Sequence, residues 1–202
     1  MNFLAHLYLS GNSDNVRFGN LIGDSIKGKN YLKFPEDISR GILLHRRIDA
    51  FTDSNKIVKE CKPLFVEKYH KYSGVVVDIV FDHFLAINWS KYSNHDLHAF
   101  SRHAYAILVK NYSLIPSRIK FFMAFMIVNN WLESYKKIEF IRKVFNRMPY
   151  RTSLPNEPDF VINTIENNYQ YLNEQFDKFF IEIKKYVSTE FNIVFDYNEF
   201  KK

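Results

Sequence analysis

The chain has 202 residues, enough to bury a substantial core as one domain without disulfide or metal staples. Its single cysteine, Cys61, excludes an intramolecular disulfide and a cysteine-rich zinc site, and fits a reducing cytoplasm. Lysine plus arginine outnumber aspartate plus glutamate by 28 to 22, a formal charge of +6 that tilts the partner towards an acidic protein, an anionic membrane or nucleic acid, with a mildly basic solvated surface as the alternative.

Only 6 Gly and 6 Pro punctuate long apolar-periodic stretches, which favours an all-α fold over many short strands. The opening MNFLAHLYLSGN lacks a charged leader and a long apolar core, so no signal peptide is expected. No stretch reaches the length of an uncharged membrane span, and a soluble cytoplasmic protein is the expectation. A short helix starts at Asn2 and carries Phe3, Leu4, Leu7 and Tyr8; His6 among them reads as a hydrogen-bonded core residue rather than a ligand. After a turn at Ser10 to Asp14, Asp14 caps a helix running to about Lys27. Within it Gly19 and Gly23 form a smooth i,i+4 strip that lets a neighbouring helix approach, beside a polar stripe of Asn20 and Asp24. Pro35 opens the next helix, with Glu36 and Asp37 in its first turn.

That helix contains GILLHRRIDAFTD at 41–53, in which His45 and Asp49 stand four residues apart and project from one face, with Asp53 one turn further. The intervening residues are mostly apolar, so the helix is at least half buried, and a carboxylate removed from water needs a partner. An imidazole with carboxylates suits a hard divalent cation such as manganese, iron or magnesium; an ion pair with Arg46 or Arg47 is the alternative. The stretch SGVVVDIVFDHFLAINWS at 73–90 repeats the arrangement: Asp78 and Asp82 lie at i,i+4 on a helix apolar nearly all round, with His83 directly after. Two carboxylates on one buried face demand a cation, and the repeat on a second apolar helix favours metal over arginine or lysine.

Beyond it, His95, His98 and His103 fall on a more polar helix at 94–111 and read as surface residues. A core helix with Phe121, Phe122, Phe125, Met126 and Trp131 follows Pro116. Residues 134–151 read as an amphipathic helix with six cations against Glu139; Lys136, Lys143 and Arg147 lie opposite its apolar side. A loop at 149–158 precedes one long helix from about Asp159 to Glu190.

Taken together, MNFLAHLYLS at the start, GNLIGDSIKG at 19–28, GILLHRRIDAFTD at 41–53 and DIVFDHFLAINWS at 78–90 resemble the acyl carrier protein phosphodiesterase family, with weaker echoes in NNWL at 129–132 and FNRM at 145–148. The family, also called acyl carrier protein hydrolase, is considered a remote relative of the HD phosphohydrolases. The resemblance implies a single-domain helical bundle of HD-phosphohydrolase type, and a hydrolase that prefers Mn2+, with Mg2+ or Fe2+ possible. It would cleave the phosphodiester joining 4′-phosphopantetheine to a serine of holo acyl carrier protein. The motif positions implied as metal ligands are Asp24, His45, Asp49, Asp78 and Asp82, with His45, Asp49 and His83 in the chemistry. The acidic carrier is then the partner, with no nucleic acid and no membrane, and Lys136, Lys143 and Arg147 its platform. Arg46 or Arg47 is a candidate phosphate clamp. A phosphohydrolase of a nucleotide or other small phosphoester, and a non-catalytic basic protein binding RNA or an acidic partner, are the competing readings; the second gives no reason for four aspartates on apolar helices.

Overall fold

The computed structural model describes residues 2–150 and 152–195, and every regular element among them is helical. In chain order these are α1 (Phe3–Tyr8), α2 (Asp14–Ile22), α3 (Glu36–Ser54), α4 (Lys56–Cys61), α5 (Pro63–Tyr69), α6 (Ser73–Ile87) and α7 (Trp89–Tyr92). There follow α8 (Leu97–Lys110), α9 (Ser117–Val128), α10 (Trp131–Ser134), α11 (Ile138–Arg147), α12 (Pro158–Asn167) and α13 (Tyr169–Phe191). Polar caps set several starts. Asn2 accepts from the Phe3 amide, Ser13 from Val16, Asn55 from Ile57, and Asp96 from His98 and Ala99. Ser13, rather than the expected Asp14, is therefore the cap of α2.

The apolar helix α6 runs through the core and packs on α1, α5, α11 and α13. Its Val76, Val77, Ile79, Val80, Phe81, Phe84 and Leu85 are fully buried. Helix α3 has a different principal neighbour, α2, so α3 and α6 do not pack face to face as their matching carboxylate spacing suggests. The α2–α3 contact depends on missing side chains. A Cβ on Gly19 would lie 2.0 Å from the Ile38 carbonyl oxygen, and one on Gly41 would lie 2.2 Å from that of Val16. The expected smooth strip is thus real, and Gly23 completes it: a Cβ there would stand 2.5 Å from the Cβ of His45.

Three boundaries differ from the sequence reading. Helix α2 stops at Ile22, and Gly23–Ser25 tightens into a 3-10 turn. The basic stretch begins its helix only at Ile138, which leaves Lys136 in the turn after α10; Arg151 and residues 196–202 lie outside the described residues. The long C-terminal helix is interrupted at Asn168, whose side-chain amide donates to the Thr164 carbonyl at 2.9 Å and so satisfies the end of α12 locally. No helix among the described residues is long and apolar enough to cross a membrane.

Because the clash at Gly41 would be with backbone rather than with a pliable side chain, Gly41→Ala should cost at least about 2 kcal/mol of stability. Urea denaturation of the variant reads this; an unchanged midpoint would show that α2 and α3 can separate freely.

Candidate metal centre

Three helices converge on one polar group. Helix α1 brings His6, α2 brings Asn20 and α3 brings His45 and Asp49. The Asn20 side chain is fixed by its amide nitrogen, which donates to the His6 carbonyl and the Ser10 hydroxyl at 2.8 and 2.9 Å. Its Oδ1 must therefore be the atom facing the two imidazoles. It accepts from His6 Nδ1 at 2.8 Å and from His45 Nδ1 at 3.2 Å, using both lone pairs. The rings stack with centroids 4.1 Å apart, and their Nε2 atoms face the two oxygens of Asp49 at 3.1 and 3.2 Å.

This geometry sets the chemistry. With Nδ1 protonated on both rings, a neutral imidazole presents an Nε2 lone pair, and both lone pairs point at carboxylate oxygens. Acceptors facing acceptors repel unless a proton or a cation lies between them. Burial, reinforced by His45 nearby, pushes the His6 imidazole down to about 4, so protonation of that ring is disfavoured near neutrality. Two stacked imidazolium rings would also repel. Burial alone would raise the Asp49 carboxyl; protons on the facing Nε2 atoms of His45 and His6 would outweigh it and hold the group well below the usual carboxylate range, the role a cation takes where those nitrogens are unprotonated. What remains is a donor set of two imidazole nitrogens and a carboxylate within 4.8 Å of one another, which fits a divalent cation. The His6 side chain is buried and that of Asp49 is 45% exposed, so the group opens on one side.

It opens into a cavity of about 650 Å³. Asp24, Asp53 and Asp78 line the same cavity, as do Lys62, His70 and Lys71. Burial raises the Asp78 carboxyl above its ordinary value, and the charges of Asp49 and Asp53 push the same way. His70 holds a backbone φ of +44°, a strained conformation for a side chain other than glycine.

A family model described as acyl carrier protein phosphodiesterase matches residues 1–183. The chain belongs to the acyl carrier protein phosphodiesterase family. Its relatives include proteins of that name from Yersinia pestis, 34% identical over 185 residues (89% of this chain, 94% of the relative), and Photorhabdus laumondii subsp. laumondii, 32% identical over 181 residues (89% and 91%). A third, from Serratia proteamaculans, is 30% identical over 185 residues (89% and 94%). No solved structure matches.

In this member of the family only His45 and Asp49, of the six motif positions, join the three-helix group. Asp24 sits on the Gly23–Ser25 turn, exposed and 3.9 Å from Lys27, because the tighter turn rotates it away from Asn20. Asp78 faces the cavity without entering the group. Asp82 turns elsewhere: its carboxylate accepts from the Leu4 and Ala5 amides at 2.8 and 3.1 Å, capping α1. His83 points away from the cavity and donates from Nδ1 to the Tyr135 carbonyl at 2.7 Å; burial lowers its basicity. Arg46 is committed to the carbonyls of Ile26 and Gly28, each at 2.8 Å, and so anchors a loop rather than a phosphate. His98 and His103 pair with Glu133 and Asp14 at the surface, in line with their sequence reading. The sequence reading of His6 as a hydrogen-bonded core residue holds, and Asn20 belongs to its polar stripe, but neither was joined to the His45–Asp49 pair. A histidine and an asparagine on otherwise apolar faces were the available signal.

Burial pushes the Asp82 carboxyl up to about 7, against the two amide hydrogen bonds that stabilise its charge. The unfolded carboxyl ionises at its ordinary lower value, so between about pH 4 and pH 7 folding takes up a proton and Asp82 makes stability fall as pH rises. Asp82→Asn should remove that share, on the order of 3–4 kcal/mol across the window, in denaturation curves taken at several pH values. Parallel pH profiles for the two proteins would contradict the assignment.

Proposed function

We propose that the protein hydrolyses the phosphodiester between 4′-phosphopantetheine and the carrier serine of holo acyl carrier protein, using a divalent metal held by His6, His45 and Asp49. One observation carries the metal: the single Asn20 oxygen that takes both Nδ1 protons and leaves both Nε2 lone pairs facing a carboxylate. Second-sphere hydrogen bonds of this kind fix the tautomer and orientation of histidine ligands. The mixed nitrogen and oxygen set suits Mn2+ or Fe2+ better than Mg2+, which prefers oxygen ligands and its own waters. When bound, the ion would neutralise phosphate charge and make a water acidic enough to attack.

The chain's own residues supply the rest. Asn20 holds both imidazoles with Nδ1 protonated, and Asp49 stays anionic beside them. Lys62, His70 and Lys71 offer donors on the cavity wall for the phosphate oxygens and the departing serine oxygen. Asp24, Asp53 and Asp78 line the same cavity, where they would bind further cation or order water. The cavity is roomy enough for the prosthetic arm, and the carrier itself remains outside. An acidic carrier would meet Lys143 and Arg147 on the exposed face of α11 and Lys136 in the turn before it.

His6→Ala, His45→Ala and Asp49→Ala should each lower release of phosphopantetheine by at least about a hundredfold while keeping helical circular dichroism. Chelator-treated wild type should be inactive, and Mn2+ should restore it. Apo carrier protein is read by mass spectrometry. His70→Gly suits the positive φ, so it should slow turnover without loss of stability. Full activity after chelation, or in Asp49→Ala, would remove the metal-centred reading.

A further inference from the structure

Helix α9, SRIKFFMAFMIV, carries two cations and no carboxylate, and buries fully only Met123 and Met126. Phe121 is 70% exposed and Val128 84%, and Ala124 is exposed between them. Their spacing of three and four residues puts all three on one solvent-facing stripe. A groove of about 220 Å³ adjoins this helix, lined among others by Phe125, Trp131 and Phe140 and by three cations, Lys137, Lys143 and Arg147, against one carboxylate, Glu139. The Arg147 guanidinium lies 5.3 Å from the Phe125 ring centre, which joins the cations of α11 to the apolar side of α9. Contiguous exposed apolar patches rimmed by polar groups mark interaction sites.

The same helix stands one layer behind the cavity, touching residues at its edge without lining it. Its Phe122 packs on Phe3 with ring centres 5.3 Å apart, and Arg118 donates to the Asp24 and Ser25 carbonyls at 3.4 and 2.5 Å. Phe3 and Asp24 both line the cavity. A macromolecule that delivers a phosphodiester into that cavity has to cover the surface around it, and α9 adds to that surface an apolar stripe with basic neighbours.

We propose that the α9 stripe and the α9–α11 groove form the docking surface for the carrier protein, receiving an amphipathic helix whose apolar side chains meet Ala124, Val128 and the groove while its carboxylates meet Lys143 and Arg147. The proposal rests on the carrier-protein reading above. A second copy of this chain fits less well, because a two-fold contact through this face would set like cations against one another. Apolar anchors fully desolvated at the centre would supply most of the affinity, and the cations would speed encounter.

The test is binding of fluorescently labelled holo acyl carrier protein to chelator-treated protein, followed by anisotropy. Wild type should bind, and Ala124→Glu/Val128→Glu should weaken binding at least about tenfold with circular dichroism and thermal midpoint unchanged. Lys143→Glu/Arg147→Glu should weaken it too, mainly through a slower and less salt-sensitive association. Equal binding by wild type and the α9 variant would overturn the proposal, as would absence of carrier binding to wild type. It would also fall if the variant instead lost sedimentation with phosphatidylglycerol vesicles, or lost self-association, while carrier binding persisted. Phosphopantetheine release by the metal-loaded wild type reads the activity separately. Binding through α9 without release would retire the hydrolase reading and leave the docking surface standing.

Discussion

The Asn20 carbonyl oxygen is the point on which the site depends. One oxygen accepting two Nδ1 protons forces both imidazoles into the same tautomer and aims both Nε2 atoms at Asp49. No single helix can do this. His6 arrives on a six-residue helix, which could not be stable alone and is held by the Asn2 and Asp82 caps at its start. The centre is therefore a tertiary construction, assembled only when three helices are in register.

The glycines explain how that register is reached. Gly19 and Gly41 bring α2 and α3 together at backbone distance, and Gly23 leaves room for the His45 ring. With any side chain at these positions, Asn20 and His45 would move apart. Glycine lowers intrinsic helix stability by up to about 1 kcal/mol per position, so the packing gained must offset that cost. Here the gain includes a functional geometry as well as buried surface.

Much of this was legible in the sequence, and the failures share one cause. The helical class followed from composition and periodicity, the His45–Asp49 pair from i,i+4 spacing, and the α2–α3 approach from the glycine strip. Local spacing reports which residues share a helix face but not what that face meets. Asp82 has the spacing of a ligand, yet the cation it needed is replaced by two amides and the positive end of α1. His83 follows it by one residue, about 100° further round the helix, and so faces Tyr135 instead. His6 looked like a core histidine because it is one; its burial and its ligand-like partners come together only through contacts 14 and 43 residues away. The Asn168 break was hidden because an asparagine can satisfy a helix end without proline or glycine.

The tautomers of His6 and His45 test the account at its centre. Two-bond proton–nitrogen correlation spectra of metal-free protein labelled at histidine distinguish Nδ1–H, Nε2–H and imidazolium rings directly. At neutral pH both rings should carry Nδ1–H, with at most one proton between the two Nε2 atoms and Asp49, and addition of a diamagnetic divalent ion such as Zn2+ should shift both Nε2 resonances while leaving Nδ1 protonated. Nε2–H tautomers, or two imidazolium rings that ignore the ion, would contradict it.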